Sequence, residues 1–237
     1  MDSDVMLLAG GRGLRLSELT ASQPKCLARI GERPILELIM QHFANHGMKR
    51  FVLCLGYRAD MVVDYFRVRA PQLGWEVVFS DAGEDASKAE RIAEALSSVQ
   101  TPRFMLSYGD DLSDVDLSQV VSMALKANSI VTLTAIQPFS PFGTLQTNAE
   151  GIVSCFEEKS RMDSGINGGY MSVSTEIAPL LTLGELEEEV FAELVKQKKI
   201  SAYKHTGFWK SMNTHKEFCE MNTMQQTGQL RWLSKRG

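Results

Sequence analysis

No apolar run in this chain approaches the roughly eighteen residues that a membrane-spanning helix needs. The opening MDSDVMLLAGG has neither a basic start nor a full apolar stretch, so it does not read as a secretory signal. The expected location is the cytoplasm, with no membrane partner. Cysteine is sparse: Cys26, Cys54, Cys155 and Cys219 are far apart and form no CxxC pair, so they read as free thiols. Positive charge is also short. The 25 Lys and Arg are outnumbered by 29 Asp and Glu, for a net charge of −4. A nucleic-acid partner is therefore not expected, since it would need a basic face. An anionic ligand must be met by a few placed cations instead. Repeats, low-complexity tracts and long linkers are missing too. What remains is 237 residues, 44% hydrophobic and 23% charged, enough for one large domain with a buried core.

The pattern along the chain alternates strands and helices. Val5 to Leu8 reads as a buried strand that runs into Ala9-Gly10-Gly11. Ile35, Leu38, Ile39 and Phe43 have helical spacing, with Pro34 at the start and Gly47 at the end. Further strands are expected at Arg50 to Leu55, Trp75 to Phe79, Phe104 to Tyr108 and Ser129 to Ile136. Helices are expected at Ala59 to Phe66, within Glu84 to Ser98, and at Leu117 to Ala127. Short connections and this alternation imply an α/β fold, a doubly wound, mixed but mostly parallel sheet. After Pro138 the texture changes. Gly143 to Gln146, Ile152 to Phe156 and Gly169 to Val173 read as short strands, Glu185 to Lys198 as a helix, and Thr214 to Gln225 as the last helix. One domain over residues 1–237 is expected, with a nucleotide-binding half at 1–137 and a small β-rich acceptor or lid half at 138–237.

In a doubly wound sheet, ligands gather at the carboxyl ends of the strands. The first loop there is Gly10-Gly11-Arg12-Gly13-Leu14-Arg15, followed by Gln23-Pro24-Lys25. Glycines let backbone N–H groups come close to an anion, while Arg12, Arg15 and Lys25 supply charge. The loop lacks the GxxxxGK[ST] spacing of a P-loop and the third glycine of GxGxxG, so kinase-type and dinucleotide chemistry fit poorly. His42 and His46 stand four apart on a helix, but no third ligand is evident and they are not read as a zinc site. Cys26, beside Lys25, is read as packing.

These residues resemble the sugar-1-phosphate nucleotidyltransferases, whose signature LAGGxGxRL followed by PK is met here by LAGGRGLRL and QPKCL. The likeness is nearest to the glucose-1-phosphate cytidylyltransferase branch and runs in order along nearly the whole chain. It continues through Tyr108-Gly109-Asp110, Phe142 to Leu145, Phe156 to Lys159, Ile166 to Gly169 and His205 to Thr214. The resemblance implies a Rossmann-like fold, dependence on Mg²⁺, and two partners, a nucleoside triphosphate and a phosphorylated small-molecule acceptor. It also implies a tendency to form homo-oligomers, with no interface legible.

Carried over by motif, Arg15, Lys25 and Asp110 would be catalytic. Leu8, Ala9, Gly10, Gly11, Gly13, Lys88, Arg91 and Gly109 would bind the nucleotide. Gly143, Glu158, Lys159, Asn167 and Gly168 would face the acceptor. Asp110 would hold Mg²⁺. The second metal ligand of the family is an Asp where this chain has Asn213, and Asp111 is a further candidate beside Asp110. The base-side loop departs as well, with Ala89 and Glu90 replacing two glycines before the matching Arg91. CTP and a sugar 1-phosphate are the leading substrates. UTP or GTP, a heptose, non-sugar phosphate or phosphonate acceptor, and a catalytically impaired nucleotide-binding relative all remain open.

Overall fold

A computed structural model describes residues 3–13, 23–140, 142–162 and 164–230. β1 (Val5–Leu8) is followed by a hairpin of β2 (Arg29–Ile30) and β3 (Arg33–Pro34), then by α1 (Ile35–Asn45) and β4 (Arg50–Leu55). Next come α2 (Ala59–Gln72), β5 (Glu76–Asp81), α3 (Lys88–Ala95), β6 (Arg103–Tyr108), β7 (Asp111–Ser113), α4 (Leu117–Ala127) and β8 (Val131–Ile136). The remainder holds β9 (Thr144–Thr147), β10 (Val153–Glu157), β11 (Ile166–Asn167), β12 (Met171–Ser174), a π-helical turn at Leu186–Val190, α5 (Phe191–Lys196), β13 (Ile200–His205), β14 (Trp209–Ser211) and α6 (His215–Gln226).

Eight strands form the main sheet. β1 lies parallel between β4 and β6, and β5 extends the parallel part beyond β4. On the other side β12 is inserted antiparallel between β6 and β8, while β8 also takes β11 antiparallel and β13 parallel. Side-chain alternation then sorts the strands between two cores. Val5, Leu7, Phe51, Leu53 and Met105 face one core with α1, α2 and α4, whereas Met6, Val52, Phe104 and Leu106 face the other with α3 and α5. Burial on both faces explains why these strands read as continuous apolar runs.

Several expected elements change. The helix begun at Ala59 continues past Phe66 to Gln72, because Ala70 buries itself one turn on and Arg69 finds a partner. The Glu185–Lys198 stretch is not one helix but the π turn followed by α5. The β2–β3 hairpin, β7 and β11 are two or three residues long, too short for a period-2 signal. Among the described residues β9 and β10 pair only with each other, and they leave Leu145 and Phe156 more than half exposed.

One polar clasp ties α1 to α2. Glu37 is completely buried, and its carboxylate accepts from Tyr65 Oη at 2.6 Å and from Arg69 at 3.0 and 3.1 Å. Glu37 is the buried partner and Arg69 is partly exposed, so removing the arginine strands a buried charge. Arg69→Ala should therefore lose about 3 kcal/mol of stability in urea unfolding. A loss no larger than that of an ordinary surface substitution would show that Tyr65 alone satisfies Glu37.

Candidate active site

A cleft of about 790 Å³ opens at the carboxyl ends of β1 and β6. The Gly10–Gly13 loop forms one side and residues 84–88 a second. Lys25, Gly109, Asp110 and Asp111 form the floor, and Asn167, Trp209 and Asn213 come in from the later part of the chain. The strand register creates this place: Leu8 lies opposite Cys54 and Tyr108, so the loops after β1, β4 and β6 emerge together. Gly13 has φ of 62°, in the left-handed region that glycine tolerates.

Lys25 comes from a 3₁₀ turn that Pro24 precedes. Its ammonium donates to Asp110 and, at 3.0 Å, to Asn213 Oδ1. The Asn213 amide donates onward to Ser211 Oγ at 2.7 Å. Asp111 is buried beside them, and its carboxyl is pushed up from the usual range by burial first and by Asp110 second, with Ser211 opposing. Cys26 lies under the same floor. Burial pushes its thiol up to about 12, so it stays protonated and packs, as its sequence context suggested.

Of two expected ligand residues, Arg91 does structural work beneath the surface while Lys88 stays exposed in the cleft. Arg91 is buried; its guanidinium donates to the Leu55 carbonyl and, at 3.0 Å, to the Glu84 carbonyl. It thus joins the end of β4 to the loop before α3, directly under Gly10 and Gly56, where an added Cβ would collide with it. Lys88 lines the cleft with its ammonium on Glu187 and 5.1 Å from the Tyr108 ring centroid. Arg12 crosses the mouth to Glu84 at 2.9 Å and Asp85 at 3.2 Å, both exposed contacts of small energetic weight.

The structure brings Leu8, Ala9, Gly10, Gly11, Gly13, Lys25, Lys88, Arg91, Gly109, Asp110, Asp111, Asn167 and Asn213 to this cleft. Arg15 lies outside the described residues. Gly143, Glu158 and Lys159 are not in the cleft lining. They belong to or flank the separate β9–β10 hairpin, where an added Cβ on Gly143 would stand 3.0 Å from Glu158 Oε2. Gly168 also stays out of the lining. It is buried against Ile136, and its carbonyl accepts from Trp209 Nε1 at 2.9 Å. Tyr108, Trp209 and Ser211 line the cleft and were not singled out as ligand residues, since an aromatic or serine at a strand end carries no spacing signal. His42 is buried, with Nε2 on the Val115 carbonyl at 2.9 Å and its pKa lowered to about 3 by burial and then by His46, so it is a core histidine.

The donor set suits a hard divalent cation. Asp110, Asp111 and the Asn213 carbonyl are oxygen ligands, and the Lys25 ammonium already sits where Asp110 and Asn213 converge. Among the described residues no group of three or more His, Cys, Asp and Glu could hold a metal by itself. Substrate phosphates would have to complete the shell, as is usual for Mg²⁺.

With this geometry in place, comparison with known proteins identifies the class. Residues 4–227 match the family described as Nucleotidyl transferase, and the chain belongs to that family. A probable glucose-1-phosphate cytidylyltransferase of Bacillus subtilis is 33% identical over 96% of this chain and 98% of its own length. The D-glycero-alpha-D-manno-heptose 1-phosphate guanylyltransferase of Campylobacter jejuni is 30% identical over 83% of this chain and 88% of its own. The crystal structure of HddC from Yersinia pseudotuberculosis superposes with a TM-score of 0.75 at 20% identity, covering 93% of this chain and 98% of that one. The fold is accordingly the Rossmann-like one expected.

The two loop glycines differ in a testable way. An added Cβ on Gly10 meets Arg91 and the Leu55 backbone, whereas one on Gly11 has nothing within 4 Å. Gly10→Ala should cost about 2 kcal/mol in thermal or urea unfolding, an overpacking penalty, while Gly11→Ala should stay within about 0.5 kcal/mol of wild type. Equal effects at the two positions would mean that Arg91 yields freely.

Proposed function

We propose that the chain joins a nucleoside triphosphate to a sugar 1-phosphate and releases pyrophosphate, with CTP as the leading nucleotide. The observation that carries this reading is the convergence of the glycine loop at 10–13 with the Lys25–Asp110 pair in one cleft. The glycine loop and the Lys25 ammonium suit a triphosphate laid along the loop, the α-phosphate meeting the floor.

An oxygen of the acceptor phosphate attacks the α-phosphorus in line, and the bond from that phosphorus to the bridging oxygen of pyrophosphate breaks. The protein has little covalent work in such a transfer, so positioning and charge neutralisation dominate. Backbone N–H groups of Gly10, Gly11 and Gly13 cradle phosphate oxygens. Lys25 places a positive charge at the reacting phosphates. Asn167, with Tyr108 beside it, orients the acceptor. Asp110, helped by Asp111 and the Asn213 carbonyl, would hold Mg²⁺, which when bound neutralises phosphate charge and fixes the triphosphate's shape. Arg91 acts from beneath, keeping the Gly10 backbone and residues 84–88 at a fixed spacing. The B. subtilis relative named a probable glucose-1-phosphate cytidylyltransferase, aligned over nearly the full length of both chains, supports CTP.

A second reading keeps the chemistry and changes the substrates to GTP and a heptose phosphate. It is favoured by the heptose guanylyltransferase relative and by Ala89 and Glu90 in the base-side loop.

Pyrophosphate release should be measured with CTP, UTP, GTP and dTTP against glucose, mannose and heptose 1-phosphates in Mg²⁺. CTP with glucose 1-phosphate is expected to be fastest. Silence across the panel sinks the enzyme reading, and GTP with the heptose phosphate leading sinks the base assignment. Asp110→Ala should lower kcat at least about a hundredfold, on the scale of losing a placed electrostatic group. A full loss in Asp111→Ala with activity retained in Asp110→Ala would reverse the two carboxylates' roles.

A further inference from the structure

Glu187 carries no motif and has no part in the reaction as described, yet its carboxylate takes hydrogen bonds from two side chains of the cleft wall. It sits on the π turn, whose Leu186 and Val190 are completely buried in the second core, so the turn is fixed. Glu187 Oε1 accepts from Lys88 Nζ at 2.5 Å and from Tyr108 Oη at 2.7 Å. Asn167 Nδ2 donates to the same Tyr108 oxygen at 3.0 Å, and Asn167 Oδ1 accepts from the Gly169 N–H at 3.1 Å. Burial alone would raise the pKa of Glu187, but Lys88 and Tyr108 hold it below the usual carboxylate range.

We infer that Glu187 is a positioning residue for the acceptor: it fixes Lys88 and Tyr108, with Asn167, into one rigid wall of the cleft. This rests on the reading of the cleft as a nucleotidyl-transfer site. Lys88, Tyr108 and Asn167 line the cleft and Glu187 does not, so Glu187 acts through them. The Tyr108 hydroxyl gives its single proton to Glu187 and takes one from Asn167, so the substrate meets the ring, not a free donor. Lys88 gives Glu187 one of three ammonium protons and keeps the others for oxygens of an incoming ligand. Lys88 and Tyr108 precede residue 138 and Asn167 and Glu187 follow it, so this carboxylate joins the two parts of the chain where the acceptor must sit. Lys88 thereby gains a role on the acceptor side in addition to the nucleotide contact expected from its motif.

The test compares two kinds of ligand by calorimetry: the nucleoside diphosphate-sugars CDP-glucose and GDP-mannose, which fill both parts of the cleft, and CDP and GDP, which fill only the nucleotide part. Glu187→Ala should weaken the diphosphate-sugar about tenfold, the scale of one lost charge-assisted hydrogen bond, and the free diphosphate less than about twofold. Glu187→Gln should recover most of the loss, because an amide oxygen still accepts from Tyr108. Because Glu187 acts through Tyr108 and Lys88 both, Glu187→Ala combined with Tyr108→Phe should lose less than the sum of the two single losses. Should Glu187→Ala fail to fold, Glu187→Gln and Tyr108→Phe carry the same ligand comparison. Equal weakening of both ligands, independent losses in the double variant, or no loss at all would overturn the inference while leaving the cleft assignment intact. A wild-type protein that binds none of these ligands would overturn the assignment and the inference together.

Discussion

The cleft exists because β1 stops where it does. Leu8 stands level with Cys54 on one side and Tyr108 on the other, so three parallel strands end in one row. The last ladder bonds run from Ala9 N–H to the Cys54 carbonyl at 2.9 Å and from Gly109 N–H to the Leu8 carbonyl at 3.0 Å. Beyond them the chain must turn away in three places at once, with little room. An added Cβ on Gly109 would stand 3.0 Å from the Leu8 oxygen, and Gly10 and Gly56 share the space over the Arg91 guanidinium. These glycines are demanded by crowding among neighbouring loops, while Gly13 is demanded by its own positive φ.

That distinction marks what the sequence could disclose. The long apolar strands and the helices at Ile35–Asn45 and Leu117–Ala127 are legible because each element's burial is written in its own period. The glycine loop, Lys25 and Asp110 are legible because they are close together in the chain or fall at the end of a readable strand. Arg91 is legible as a motif residue but not as a post beneath the loop, since its partners are the Leu55 and Glu84 carbonyls and no residue type announces a backbone acceptor. Glu187 is illegible for a related reason. Its partners Lys88 and Tyr108 lie 99 and 79 residues away, so a run of glutamates on a turn looks like a solvated surface. The β9–β10 hairpin is legible as strands, yet its separation from the main sheet is not, because alternation says nothing about which sheet a strand joins.

Three of the cations at the cleft are held by carboxylates, while Arg91 is held by backbone carbonyls. Lys25 pairs with Asp110, Lys88 with Glu187, and Arg12 with Glu84 and Asp85. A chain with a net charge of −4 has no broad positive field to offer an anion, and this pairing keeps even the local field small. An incoming polyphosphate must therefore exchange partners with these acids. The exchange is inexpensive at Arg12, where the pairs are exposed, and harder at Lys25, whose side chain is largely enclosed. Discrimination should consequently lie at the enclosed floor, with the mouth serving capture.

Asn213 fits that floor on physical grounds. An amide accepts from Lys25 through its oxygen and donates to Ser211 through its nitrogen, and Ser211 in turn bonds the Asp111 carboxyl. A carboxylate at 213 could accept from Lys25 but could not donate to Ser211. It would also place a third negative charge beside Asp110 and Asp111, where the Lys25 ammonium bonds Asp110 and residue 213 but not Asp111. Burial first and repulsion from Asp110 second already push the Asp111 carboxyl up, and another negative charge would push it further. The neutral amide thus lets two adjacent carboxylates occupy the floor. A cation bound there would meet two charged oxygens from consecutive residues and a neutral one across from them, a different division of charge from one carboxylate on each side.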